Sequence, residues 1–231
     1  MVLTSFNDIS VTIGNHRILS AIDLPRLEPG QLLGLIGPNA AGKSTLLKAL
    51  NLEVRSSGCL EVDDRSLRNM NALDRRSAIA YMPQTIPQGS ALTPYELVRS
   101  FAKATGLDLR LEELDCKIAL LFDNLGLVNE AHKPMQTLSG GKRQLVGLCL
   151  AMIHDPKVLL LDEPTSGLDL HWQLAAISVV RAYLQAGNRA CIIALHDINL
   201  ALRFCDLIAV LKDGQQVAAG IPEDVIQPGL I

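Results

Sequence analysis

A lysine and two hydroxyl residues close a glycine-framed stretch, GPNAAGKST, at residues 37–45. The stretch fits the pattern G-x-x-x-x-G-K-[ST], whose chemistry is phosphate binding. Gly37, Pro38, Asn39, Ala40, Ala41 and Gly42 form a loop whose main-chain N–H groups can turn inward around a phosphate chain. Lys43 is expected to reach the outer phosphates, Ser44 to offer its hydroxyl to Mg²⁺, and Thr45 to complete the loop. A second cluster, VLLLDEPTSGLD at 158–169, ends an apolar run in two carboxylates. Asp162 is placed to hold Mg²⁺, through water. Glu163 is placed to orient and deprotonate an attacking water. A third stretch, LSGGKRQ at 138–144, puts Ser139, Gly140 and Gly141 at a helix start. A hydroxyl and free N–H groups there make another anion site.

Strands and helices must bring these groups together. QLLGLIG (31–37) is a short apolar run ending in glycine and reads as a buried strand; helix signals follow from Lys43 to Leu50. KVLLLD (157–162) reads as a second buried strand, and ligands of open α/β sheets bind at the carboxyl ends of such strands. Near the N-terminus, ISVTI (9–13) and ILSAIDL (18–24) alternate as antiparallel strands, with GNHR (14–17) as their turn. CLEVDD (59–64) and IAYMPQ (79–84) are further strand candidates. From Leu92 the spacing turns helical, opening on Thr93, Pro94 and Glu96, a start of capping-box type. That block runs to about Ile153. Then the pattern predicts a helix over 170–187, a strand over 190–195, a helix over 197–205 and strands over 207–214 and 216–220. The whole is an α/β core interrupted by a helical insert.

Composition agrees with one sizeable domain: 231 residues, 48 % hydrophobic, 19 % charged and only 3 % aromatic, so aliphatic side chains do the packing. The net charge of −3 lacks the basic bias of a nucleic-acid binder. Five cysteines, none at C-x-x-C spacing, read as small buried hydrophobes. No segment has the form of a signal peptide, and no apolar run approaches the roughly 20 residues that span a bilayer. Any membrane role comes through partners.

The phosphate loop and the Asp-Glu strand are shared by many P-loop proteins. With LSGGKRQ between them, the chain resembles the ATP-binding subunits of ABC transporters, over essentially its full length. Within that family, HDINLALRFCDLIAVLKDGQQVAAGIPEDVI (196–226) is similar to importers of iron–siderophore complexes, haem and cobalamin. The resemblance implies a P-loop NTPase α/β core (1–84 and 157–231) with an N-terminal antiparallel β-subdomain and an inserted helical subdomain (85–156). It implies that Gln84 senses Mg²⁺ and the attacking water, that His196 contacts the γ-phosphate, and that SGLD (166–169) crosses a dimer interface. The cofactors implied are ATP and Mg²⁺.

The partners implied are a second ATPase subunit, transmembrane permease subunits and, indirectly, a substrate-binding protein, with no nucleic acid. Ser139, Gly140 and Gly141 of one subunit would complete the site of the other. The place implied is the cytoplasmic face of the inner membrane, as a peripheral protein whose permease docks near Gln84 and residues 85–105. TIPQGSALTP (85–94) reads as a flexible surface loop. The sequence departs from the family pattern at Lys142, where Gln or Glu is usual, at Leu145, where Arg is common, and at Ile13, where an aromatic stacks on adenine. The chain also stops early after residue 226, naturally short or trimmed. The rival readings are a soluble ABC-type ATPase of repair or translation and a small-molecule P-loop kinase. The first usually carries long insertions or tandem domains, and the second needs neither LSGG nor SGLD.

Overall fold

A computed structural model describes residues 3–84 and 91–225. In chain order its elements are β1 (Thr4–Asn7), β2 (Ile9–Ile13), β3 (His16–Ile22), β4 (Leu32–Ile36), α1 (Lys43–Leu50), β5 (Cys59–Val62), β6 (Arg65–Ser66), α2 (Ala72–Ala78) and β7 (Ile79–Met82). There follow α3 (Pro94–Ala104), α4 (Leu111–Asn124), α5 (Gly140–Met152), β8 (Val158–Asp162), α6 (Leu170–Gln185), β9 (Ala190–Ala194), α7 (Ile198–Phe204), β10 (Leu207–Lys212), β11 (Gln215–Gly220) and α8 (Pro222–Val225).

The central sheet has the order β11-β10-β4-β9-β8-β7. Strands β10, β4, β9, β8 and β7 are parallel, and β11 runs antiparallel at the edge beside β10. Every residue of β4, β8 and β9 is buried, which is why these strands read as unbroken apolar runs. Their side chains alternate between two cores. Leu32, Leu159, Leu161 and Ile193 face the core shared with α4, α5 and α6, whereas Leu33, Leu35, Leu160 and Ile192 face the core shared with α1 and the N-terminal strands. Each such Leu or Ile contributes roughly 1.5–3 kcal/mol by leaving water.

The N-terminal strands form two small antiparallel sheets, β1-β5-β6 and β2-β3, rather than one. The turn expected over GNHR shrinks to Gly14-Asn15, because His16 and Arg17 already pair with Ile13 and Thr12. β5 stops at Val62, since Asp63 and Asp64 both take left-handed φ (50° and 56°) and turn the chain into β6. Helix α2 carries no clear apolar stripe and escaped the sequence reading; its N-terminus is capped by Asn71, whose side chain accepts from the Asp74 N–H. Helix α3 opens on the expected capping box, with the Glu96 N–H donating to Thr93 Oγ1 at 3.2 Å and the Thr93 N–H to Glu96 Oε2 at 2.8 Å.

Cys149, Cys191 and Cys205 are buried as expected; Cys116, on the outer side of α4, is exposed, and Cys59 is half-buried. Among the described residues no helix is long and apolar enough to cross a membrane. The loop expected over 85–94 lies, for residues 85–90, outside the described residues.

Candidate functional site

Strand β4 delivers the phosphate-loop stretch at its carboxyl end, and α1 leaves from the loop's far side. Gly37, at φ 148°, lies in backbone space that side chains disfavour, and a Cβ there would sit 2.1 Å from the Leu211 carbonyl oxygen. β10 therefore forms the floor beneath the loop. The β10–β11 turn adds a brace, with the Gly214 N–H donating to the Ala41 carbonyl at 3.2 Å. Helices α2, α3, α5 and α6 each have a side-chain N-cap, but α1 begins at Gly42 without one. Its first N–H groups face a cavity of about 470 Å³ lined by Asn39, Ala40, Ala41, Gly42, Lys43, Ser44, Thr45, Ile18, Gln84, Glu163 and His196.

Lys43 is 5 % exposed and folds back into its own loop, donating to the Gly37 carbonyl at 2.7 Å and the Pro38 carbonyl at 3.1 Å. Burial pulls its pKa down from the usual ammonium range, while the Glu163 and Asp162 charges pull the other way. Strand β8 ends on Asp162, 2 % exposed. Asp162 accepts from Ser44 Oγ on one carboxylate oxygen and from the Tyr81 hydroxyl on the other, both at 3.0 Å. Glu163 follows at φ 51°, a left-handed conformation that costs a non-glycine residue of order 1 kcal/mol. That twist aims its carboxylate into the cavity, between Gln84 Nε2 at 2.6 Å and His196 Nε2 at 2.6 Å. Three separate strand ends, those of β7, β8 and β9, thus converge on one carboxylate.

Tyr81 also belongs to the site, though no sequence motif marks it. Its position three residues before Gln84 on a strand edge carries no motif, and only the pairing of Tyr81 with Leu160 in the parallel β7–β8 register brings its hydroxyl to Asp162. Burial and the neighbouring Asp162 charge raise its pKa well above the usual phenol range, so it remains a donor.

Ser139, Gly140 and Gly141 do not join this cavity. Ser139 caps α5, accepting from the Lys142 N–H at 3.4 Å. Gly141 packs where a Cβ would meet Leu168 and Trp172 side-chain carbons at 3.3 Å, so the glycine allows α5 to lie against the SGLD loop. Ile13 ends β2 and is 53 % exposed, while Ile18 on the paired strand lines the cavity. Two other side chains of the N-terminal strands differ in reach: Phe6 is 1 % exposed in the core, and the exposed Arg17 donates to Ser10 Oγ at 3.1 Å.

Among the described residues no three His, Cys, Asp or Glu side chains are grouped to cage a metal ion. One serine hydroxyl beside one carboxylate suits Mg²⁺ instead, which keeps waters and takes its other ligands from phosphate.

The model of the ABC transporter family matches residues 22–166. The chain is 34 % identical to the hemin import ATP-binding protein HmuV of Pseudomonas aeruginosa, covering 96 % of this chain and 88 % of that one. It is 31 % identical to the iron(3+)-hydroxamate import ATP-binding protein FhuC of Bacillus subtilis, covering 98 % and 85 %. Its fold matches a solved ATP-binding subunit of an ABC transporter with a TM-score of 0.83 at 26 % identity, over 96 % of this chain and 91 % of the other. With a family match over most of the sequence and a phosphate loop set against two buried carboxylates, the chain belongs to the ABC transporter family, as one of its ATPases.

Proposed function

We propose that the chain is the energy-supplying subunit of an importer of metal chelates of the iron–siderophore, haem or cobalamin class. Two relatives of nearly the same length, named for hemin and iron(3+)-hydroxamate import, support the cargo class. The observation that carries the enzymatic part is the grip of Gln84 and His196 on the two oxygens of Glu163, within one cavity that also holds Lys43 and Ser44.

In this reading the loop from Gly37 to Thr45 cradles the phosphates of ATP with its N–H groups. Lys43 leaves the Gly37 and Pro38 carbonyls for the outer phosphates. Ser44 and Asp162 hold Mg²⁺, with Gln84 beside them, and the ion supplies charge neutralisation on the phosphates. Glu163 orients the attacking water and accepts its proton, while Gln84 and His196 fix the carboxylate. The chain divides into a core, 1–84 and 157–231, and a helical subdomain, 85–156.

Ser139, Gly140 and Gly141 lie apart from the cavity of their own chain, which fits their service to a second copy. Two subunits closed on ATP and opened by hydrolysis deliver the work. The permease docks at Gln84 and residues 85–105, and holds the subunit on the cytoplasmic face of the membrane.

Uptake assays test the cargo. Cells lacking the gene should lose uptake of one class among ferric hydroxamate, haem and cobalamin, and regain it with the wild-type chain but not with Glu163→Gln. Unchanged uptake of all three would reject the cargo assignment.

A further inference from the structure

Lys142 stands in the first turn of α5, three residues after the cap Ser139. It forms an ion pair with Glu130, in the short turn Val128–Glu130 that follows α4. Glu130 is a rarity for this surface: a carboxylate only 6 % exposed. Lys142 is its direct partner, and Lys133 stands farther off at 3.6 Å, more than half exposed. The Lys142 bond holds the Glu130 carboxyl below the usual carboxylate range. A buried carboxylate without a cation is costly, so the two residues are needed together.

Glu130 stands on a fixed platform. Its N–H donates to the Leu127 carbonyl at 3.0 Å, and the carbonyl of the next residue, Ala131, accepts from the Tyr95 N–H at the start of α3, also at 3.0 Å. Leu127 and Met135, on either side, are fully buried. The turn Ser139–Gly141 is held by Lys142 to Glu130 and by Arg143 Nη1 to the Leu138 carbonyl at 2.7 Å, beside the packing of Gly141 on Leu168 and Trp172.

We propose that Glu130 is a positioning residue for the Ser139–Gly141 turn: by holding Lys142 it sets the turn against a fixed platform and keeps the lysine's charge off the nucleotide. The proposal rests on the reading that this turn contacts the nucleotide of a partner subunit. It accounts for a lysine where a neutral or acidic side chain is usual, and it makes Lys142 a tether rather than a phosphate ligand.

The test is steady-state ATPase kinetics and thermal melting on the purified full chain. Four variants are compared with the wild type: Glu130→Gln, Lys142→Gln, Lys142→Arg and the double variant Glu130→Leu/Lys142→Gln. Removing one charge should raise KM for ATP by about tenfold while kcat stays within about threefold, since the Lys43–Glu163 side of the site is untouched. Removing both charges together, or keeping the cation as Arg, should return KM to within about threefold of the wild type.

Unchanged KM in Glu130→Gln would overturn the proposal. So would a double variant as impaired as Lys142→Gln, which would mark Lys142 as a direct phosphate ligand. If Glu130→Gln fails to fold, the double variant and Lys142→Arg still decide the matter. Ser139→Ala separates the two levels. Full activity there sinks the nucleotide-contact reading and the proposal with it, whereas loss there beside unchanged KM in Glu130→Gln sinks the positioning role alone.

Discussion

The side-chain amide of Gln144 donates to the main-chain carbonyl of Gln84 at 3.1 Å. Gln144 lies on the second turn of α5, the helix whose start we propose serves a second copy, and Gln84 touches Glu163 of its own chain. One hydrogen bond thus links α5 to the residue that holds Glu163. Removing it should loosen Gln84. We expect Gln144→Ala to lower kcat roughly three- to tenfold, the range of one net hydrogen bond, with little change in melting temperature. An unchanged kcat would show that Gln84 is held by other means.

Tyr81 should matter through Asp162. In Tyr81→Phe the ring still fills its half-buried place, but Asp162 Oδ2 loses its donor and is less firmly oriented. The Mg²⁺ concentration for half-maximal ATPase activity should rise roughly three- to tenfold. A Mg²⁺ titration identical to that of the wild type would remove Tyr81 from the site.

The fate of Tyr81 shows what the sequence could reveal. The phosphate loop, the Asp-Glu pair and their strands were legible because each is contiguous: an apolar run, a turn and a chemical group within a dozen residues. The Thr93 capping box was legible for the same reason. Tyr81, Gln144 and Glu130 were not, because each acts on a residue at least twelve positions away, through strand register or helix packing. The mis-set ends of β3 and β5 have a local cause, left-handed φ at Asp63 and Asp64 and a two-residue hairpin tip, which hydrophobic patterning does not register. Cys116 is exposed because the apolar spacing of α4 buries Leu114, Ile118 and Phe122 and leaves the cysteine between them outside.

Base selectivity should be weak. Ile13 offers apolar contact but no π-face, Phe6 lies in the core, and no Phe, Tyr or Trp is among the described residues that line the cavity. Base–aromatic stacking is worth roughly 1–3 kcal/mol, and Ile13 does not supply it. We expect kcat/KM for GTP to fall within about tenfold of the ATP value. A larger preference for ATP would reveal a base-reading group elsewhere.

In the proposed cycle, ATP closes a site shared between two subunits and hydrolysis opens it. Glu163→Gln removes the carboxylate expected to take the proton of the attacking water, which should slow hydrolysis about 10²- to 10⁴-fold and leave binding intact. Light scattering on this variant after size exclusion tests the claim most directly. With Mg²⁺ and ATP the 25.0 kDa chain should elute at the mass of two chains, and with ADP at the mass of one. A single-chain mass under both conditions would contradict the account.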